Sequence, residues 1–66
     1  MSIKAMRANA NLSQEAVAKE LGITVVSYRR KEQGKREFKF SELLKMCKLF
    51  NVELNDFADC FILNAN

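Results

Sequence analysis

The sequence predicts an all-α fold in which five short helices surround a single core. Its 66 residues include no proline and only two glycines, and no stretch shows the alternating β-branched pattern of a strand. Apolar residues instead recur at intervals of three and four, as they do on the buried face of a helix. Because a chain of this length buries only about 60% of its unfolded surface, we expect one domain over residues 1–66 with modest stability.

Helices one and two are predicted from this spacing and from a capping residue. Helix one covers residues 2–10, where four residues follow the interval: Ile3, Met6, Arg7 and Ala10. Helix two covers residues 14–21 and is expected to bury Val17, Ala18 and Leu21. Ser13 precedes it as the N-cap, because a serine hydroxyl accepts a hydrogen bond from an unpaired amide of the first turn.

A glycine separates helix two from helix three. Gly22 lies where a left-handed residue is needed to end one helix and turn toward the next. Thr24 then caps helix three, which runs to about Gln33 and stops at Gly34. Only three residues link the two helices, so they must cross steeply, which is the geometry of a helix-turn-helix over about residues 13–33.

Helix four is predicted at about residues 41–50, and a short fifth helix follows it. The inward positions of helix four are Leu43, Met46, Cys47 and Phe50, and its outward positions are Glu42, Lys45 and Lys48. Asn51 ends it, since asparagine tolerates the left-handed conformation. Phe38 and Phe40 are expected to anchor the preceding loop on the core. The fifth helix would close that core with Val52, Leu54, Phe57 and Phe61.

The positive charge is concentrated in the middle of the chain. The net charge of +3 divides into +1 over residues 1–23, +4 over residues 24–39 and −2 over residues 40–66. This asymmetry suits a protein that offers one face to a polyanion. The alternative is that residues 29–31 form an ordinary solvated helix face.

The composition also excludes several classes of site. The chain has no histidine, and Cys47 and Cys60 lack metal-ligand spacing, so we predict no metal, no cofactor and no disulfide framework. No nucleophile stands beside a base and no glycine-rich loop could hold a phosphate, so we predict that the protein is not an enzyme and has no small-molecule ligand. No apolar run approaches the roughly 20 residues of a membrane span, and no signal peptide is evident, which predicts a cytoplasmic protein.

Taken in order, the motifs resemble those of the phage-repressor and Cro type of helix-turn-helix, the xenobiotic-response-element family. The resemblance covers residues 3 to about 57 without an insertion. It rests on Leu12-Ser13-Gln14, Val17-Ala18, Leu21-Gly22-Ile23-Thr24, Glu32-Gln33-Gly34-Lys35-Arg36, Leu43-Leu44 and Phe50-Asn51-Val52. Each match is weak alone, but the ordered set at fixed spacing is specific. The resemblance implies a five-helix, lambda-repressor-like domain that inserts helix three into the major groove of double-stranded DNA.

The resemblance also implies which residues touch DNA. Those expected to read or border base edges are Val25, Val26, Ser27, Arg29 and Arg30, because arginine can bond guanine in a bidentate way and valine can contact the thymine methyl group. Those expected to hold phosphates are Gln14, Thr24, Gln33, Lys35 and Arg36. For the two valines the alternative is packing inside the domain, and for the two loop cations it is ordinary solvation.

In this family a partly buried ion pair joins helices one and three, and Arg7 and Glu32 match its two positions. The chain departs from the family pattern at three places. Tyr28 replaces a branched apolar residue, so its hydroxyl must find a partner or water. Lys31 replaces a large apolar residue and is expected to extend along the surface. Phe38 stands where proline is common, which leaves the course of the following loop open.

The resulting prediction is a sequence-specific transcriptional regulator, a repressor of phage or mobile-element type. Useful affinity normally requires two copies on a two-fold operator. The apolar carboxyl-terminal residues Phe57, Phe61, Ile62 and Leu63 either supply the contact of a homodimer or belong to the core. The alternative function is a protein-interaction module, such as an antitoxin that binds a toxin through the acidic segment 53–59.

Overall fold

The computed structural model describes residues 1–61, which form four α-helices of at least seven residues and no strand. These helices are α1 (Ile3–Asn9), α2 (Gln14–Leu21), α3 (Val25–Glu32) and α4 (Phe40–Phe50). The predicted all-α fold is confirmed, and each helix begins and ends within one residue of its predicted position.

The segment after α4 differs from the prediction. It forms a 3-10 helix over Leu54–Phe57 and then a single α-helical turn over Ala58–Phe61, so the regular fifth helix is not confirmed. The backbone N–H of Glu53 donates to the Asp56 carboxylate at 2.8 Å, which closes a tight first turn of the kind common at helix ends. From this segment Phe57 enters the core, whereas Leu54, which was expected there, is 40% exposed.

The helix boundaries follow from capping side chains and left-handed residues. The Ser13 and Thr24 hydroxyls each accept a hydrogen bond from the backbone N–H three residues later, at 3.0 and 3.1 Å. Gly22 ends α2 with a φ of +72°, and Asn51 ends α4 with a φ of +56°. The predicted caps and stop signals are therefore confirmed.

The core lies where α1, α2 and α3 meet α4 and the 3-10 helix. Its buried apolar residues are Ile3, Met6, Val17, Ala18, Leu21, Tyr28, Met46, Phe50 and Phe57. Leu43 and Cys47, predicted to face inward, are half-buried and pack against this group. Every buried side-chain nitrogen or oxygen within residues 1–61 has a hydrogen-bond partner. The polar groups that border the core are therefore satisfied.

Besides Leu54, three predictions about individual side chains are wrong. Lys31 does not extend along the surface but is 7% exposed, and Glu42, predicted to face outward, is 6% exposed. Each neutralises the other's charge, which is what allows both to leave water. Phe40 is 62% exposed and opens α4 instead of anchoring the loop. Phe38 alone performs that role, with its ring 5.9 Å from the Tyr28 ring in an edge contact.

Candidate nucleic-acid interface

The turn between α2 and α3 determines which face of α3 is open. Gly22 reverses the chain, and Ile23 packs against the core from the corner of the turn. Thr24 then caps α3, which packs on α2 along one side. The opposite side of α3 faces solvent, so any ligand of this helix must approach from there.

Two rows of side chains, spaced by four residues along α3, have different surroundings. Val25 is half-buried against the core, and Arg29 continues its row. Val26 is 54% exposed, and Arg30 continues that row into solvent. Within residues 1–61 no hydrogen bond or ion pair engages the Arg30 side chain. Both valines were predicted to contact bases. Val26 lies on the open surface, whereas Val25 packs partly against the core, as the alternative prediction stated.

Glu32, at the end of α3, accepts hydrogen bonds from three side chains. Arg7 of α1 donates through Nε at 2.8 Å and Nη2 at 3.2 Å. The Tyr28 hydroxyl donates at 2.7 Å, and Gln14 Nε2 donates at 3.0 Å. Arg7 Nη1 also donates to the Leu12 carbonyl at 2.9 Å. We call Arg7, Gln14, Tyr28 and Glu32 the Glu32 cluster; it joins α1, α2 and α3.

The Glu32 cluster has a fixed charge state at neutral pH. Burial by itself raises the pKa of the Glu32 carboxyl, but the hydrogen bonds from Arg7, Tyr28 and Gln14 outweigh burial and lower that pKa. The bond to Glu32 raises the pKa of the Arg7 guanidinium. Burial, reinforced by the bond to Glu32, raises the pKa of the Tyr28 phenol. The cluster therefore contains a carboxylate, a guanidinium and a neutral phenol.

Gln14, predicted to hold a phosphate, has both ends of its amide engaged within the protein. Its Nε2 donates to Glu32, and its Oε1 accepts a hydrogen bond from Arg29 Nε at 3.0 Å. Arg29 Nη2 also lies 3.7 Å from a Glu15 carboxylate oxygen. The Arg29 side chain thus extends from α3 back to the first turn of α2, and one N–H of Gln14 remains for another acceptor.

A second ion pair holds the other side of α3. Lys31 Nζ donates to both carboxylate oxygens of Glu42, each at 2.8 Å, and one of these oxygens also accepts the backbone N–H of Lys39 at 2.8 Å. Burial raises the pKa of the Glu42 carboxyl, but the bonds from Lys31 and from the Lys39 amide outweigh it and lower that pKa. This Lys31–Glu42 pair joins α3 to the first turn of α4.

Sequence reasoning missed the Lys31–Glu42 pair, although a signal for it exists. Lys31 follows the buried Tyr28 by three residues, and Glu42 precedes the buried Met46 by four. Both charges therefore stand on core-facing stripes of their helices. Two opposite charges at core positions of neighbouring helices are the pattern that predicts a buried pair.

The segment after α3 carries the remaining predicted phosphate contacts. Gln33, Lys35 and Arg36 are all exposed, and the Lys35 amide donates to the Arg30 carbonyl at 2.9 Å, which turns the chain at the helix end. Gly34 makes this turn possible with a φ of +80°. The exposed charges of residues 24–39 are five basic side chains and one acidic side chain, Glu37. The positive charge predicted for this stretch therefore lies on its surface.

These features define a helix-turn-helix DNA-binding domain: two crossed helices joined at Gly22, with an exposed basic surface on the second. A helix-turn-helix family model matches residues 3–57, which include α1 to α4. The chain therefore belongs to the Cro/C1-type helix-turn-helix family, a family of DNA-binding regulators and not of enzymes. No curated protein and no solved structure matches the chain significantly.

Two further observations concern the described residues as a whole. Within residues 1–61, none of the helices is both long and apolar enough to cross a membrane. In the same residues, histidine, cysteine and acidic side chains form no group of three or more that could hold a metal ion.

Proposed function

We propose that this chain is a sequence-specific transcriptional regulator, a repressor of phage or mobile-element type, that acts in the cytoplasm by occupying operator DNA. The observation that carries the proposal is the exposed Val26–Arg30 row of α3, which is flanked by exposed cations at Lys35 and Arg36. A helix of this kind fits the major groove, where base edges differ in hydrogen-bonding pattern. Blocking a promoter then requires only that the domain remain bound.

In this proposal the open row of α3 reads sequence. Arg30 donates two hydrogen bonds to guanine, and Val26 contacts the methyl group of thymine. Ser27 and Val25 border these contacts, and Val25 contributes less because it is half-buried. Sequence preference therefore depends on one strong polar contact and one apolar contact.

Other residues fix the domain on the DNA backbone without reading sequence. Lys35 and Arg36 neutralise phosphates at one end of α3, and Gln33 adds a neutral donor there. The remaining N–H of Gln14 and the exposed Thr24 hydroxyl lie at the other end, where the exposed amides at the start of α2 assist. Each phosphate neutralised adds about −0.9 to the slope of log affinity against log salt concentration.

Two copies on a two-fold operator would supply the affinity that one small domain lacks. The domain is 32 Å in its longest extent, and half-sites of this class lie about 34–36 Å apart, so two copies fit side by side. The exposed apolar side chains Phe40, Leu44 and Leu54 support self-association. Phe57 is core and not a dimer contact, while the side chain of Phe61, and Ile62 and Leu63, lie outside the described residues.

The proposal is tested by selecting bound duplexes from random DNA and sequencing them. We expect an enriched motif with two-fold symmetry. Arg30→Ala should cost about 1 to 3 kcal/mol on that motif and relax preference at one base pair, whereas Lys35→Ala should weaken all duplexes alike. Both residues are exposed cations, so each variant is the charge-matched control for the other.

Equal losses for the two variants on selected and random DNA would show that Arg30 does not read bases. A second candidate function, binding of a partner protein as an antitoxin, is favoured by the exposed Glu53, Leu54 and Asp56. An antitoxin of this kind does not need to bind duplex DNA. The absence of any salt-dependent mobility shift would favour it over the regulator.

A further inference from the structure

The two adjacent arginines of α3 are not equivalent. Arg30 follows the exposed Val26 by four residues and extends into solvent without a partner among residues 1–61. Arg29 follows the half-buried Val25 by four residues and is bonded to Gln14 on α2 at 3.0 Å. The two guanidinium groups therefore lie on different faces of the helix. Arg29 is held against α2, whereas Arg30 is open to a ligand.

The orientation of Arg29 comes from the Glu32 cluster. The Gln14 amide can donate only through nitrogen and accept only through oxygen, and it uses the nitrogen on Glu32 and the oxygen on Arg29. Glu32 is itself held by Arg7 and Tyr28. Arg29 is thus the last member of a chain of hydrogen bonds that starts in the core. Because its position is fixed before any ligand arrives, fewer rotamers are lost on binding.

We propose, on the basis of the proposed function, that Arg29 contacts a DNA phosphate and that Gln14 is the positioning residue that holds it there. In helix-turn-helix docking the first of the two helices crosses the backbone, and base edges lie under the second. A guanidinium drawn from α3 to the first turn of α2 therefore lies beside the backbone. Nε of Arg29 donates to Gln14, and the N–H groups on Nη1 and Nη2 of Arg29 can donate to the oxygens of a phosphate.

Glu15 modulates this contact. Its carboxylate is 3.7 Å from Arg29 Nη2, and its side chain is 68% exposed. A negative charge at this point competes with the phosphate for Arg29 and repels the DNA backbone. Glu15→Gln should therefore raise affinity severalfold on every duplex.

The test measures the affinity of the full chain for the selected duplex, for that duplex with each base pair changed, and for random DNA, across a range of salt concentrations. Arg29→Ala should lower affinity about 10-fold on all duplexes and reduce the salt slope by about 0.9. Gln14→Ala should lower affinity on all duplexes but leave the salt slope unchanged, because the charge of Arg29 remains. In the Arg29→Ala background, Gln14→Ala should cost less affinity than it does in the unmodified chain, because only the direct phosphate contact of Gln14 is then left to lose.

Three controls separate positioning from a general loss of structure or charge. Arg29→Lys keeps the charge but not the planar fork, so it should keep the salt slope and lose affinity. Lys48→Ala removes an exposed cation of α4 and should change the slope less than Arg29→Ala. Denaturant unfolding of each variant shows that it is folded under the binding conditions.

Each outcome bears on one hypothesis or on both. A change of preference at a single base pair on Arg29→Ala would overturn the inference and leave the proposed function standing, and so would additive effects of Gln14→Ala and Arg29→Ala. Uniform loss with coupled effects would support it. If the unmodified chain binds no duplex, the proposed function and this inference both fail.

Discussion

The two ion pairs of α3 start from neighbouring residues and differ in construction. Glu32 accepts four hydrogen bonds from three side chains on two other elements and its own helix. Lys31 meets one carboxylate, Glu42, which has a single additional donor, the Lys39 amide. The first is a network and the second is a pair. Together they fix the recognition helix to α1 and α2 on one side and to α4 on the other.

This difference shows which charged contacts are required for stability and which are replaceable. A network satisfies several buried groups at once, so removing its centre leaves several of them unpaired. An isolated buried pair can be exchanged for apolar residues of similar volume without loss, because its attraction roughly offsets the cost of desolvation. The four predictions below test this distinction.

Glu32→Ala should have the largest effect. It leaves Nε and Nη2 of Arg7 and the buried Tyr28 hydroxyl without their acceptor, which should lower the free energy of unfolding by about 3 to 5 kcal/mol. The total free energy of unfolding of a domain of this size is roughly 3 to 10 kcal/mol, so the variant should be only marginally stable. Urea unfolding measures the loss. Glu32→Gln, which keeps an acceptor oxygen, should lose less, and a loss below about 1 kcal/mol for the alanine variant would refute the network.

Glu42→Ala should come next, with a loss of about 3 kcal/mol, because Lys31 can move its ammonium toward solvent along a flexible stem. The double variant Lys31→Met, Glu42→Met should be as stable as the unmodified protein or more stable. Thermal and urea unfolding of the single and double variants provide the comparison. A double variant as unstable as Glu42→Ala would mean that the pair is not replaceable.

Acid should destabilise the domain through both carboxylates. The pKa of Glu32 and that of Glu42 are lower in the folded protein than in the unfolded chain, so the unfolded state takes up protons first. Their stabilisation is present above about pH 4.3 and is lost as pH falls through the folded values. Each contributes at most about 1.4 kcal/mol per pH unit. Glu42→Gln should reduce the slope of unfolding free energy against pH by the contribution of one carboxyl group. An unchanged slope would contradict this prediction.

Tyr28→Phe should have the smallest effect, about 1 kcal/mol, because Glu32 keeps its donors from Arg7 and Gln14. Tyr28 is the only tyrosine and the chain has no tryptophan, so its phenolate absorbance reports this residue alone. Because its pKa is raised in the folded state, the associated stabilisation is present below about pH 10 and is lost as pH rises above it. A phenol that ionises near pH 10 while the protein is still folded would contradict its burial and its hydrogen bond to Glu32.

The sequence predicted the backbone better than the burial of charged side chains. Ser13, Gly22 and Thr24 are local signals, and local signals determine where α2 and α3 begin and end. Lys31 and Glu42 could not be assigned in the same way, because their burial depends on a partner 11 positions away in sequence. A charge at a core position indicates either exposure or pairing, and only the packing of α3 on α4 decides between them.

Within the candidate site, helical periodicity predicted the exposed surface but not the side-chain orientations. Val25 and Val26 are chemically identical, and only the packing of α3 distinguishes the half-buried one from the exposed one. The resemblance to the family indicated Arg7 and Glu32, yet it did not indicate that Gln14 would bond Arg29. That contact depends on the crossing of α2 and α3, which spacing along the chain does not specify.

The attachment of α3 on both sides has a consequence for evolution. The open row that includes Val26 and Arg30 contributes nothing to the Glu32 cluster or to the Lys31–Glu42 pair. Substitutions at such exposed positions usually change stability by no more than about 0.5 kcal/mol. Descendants of this chain can therefore exchange Val26 and Arg30 with little change in melting temperature. The DNA-facing surface can change because the position of α3 depends on the Glu32 cluster and the Lys31–Glu42 pair, and neither includes Val26 or Arg30.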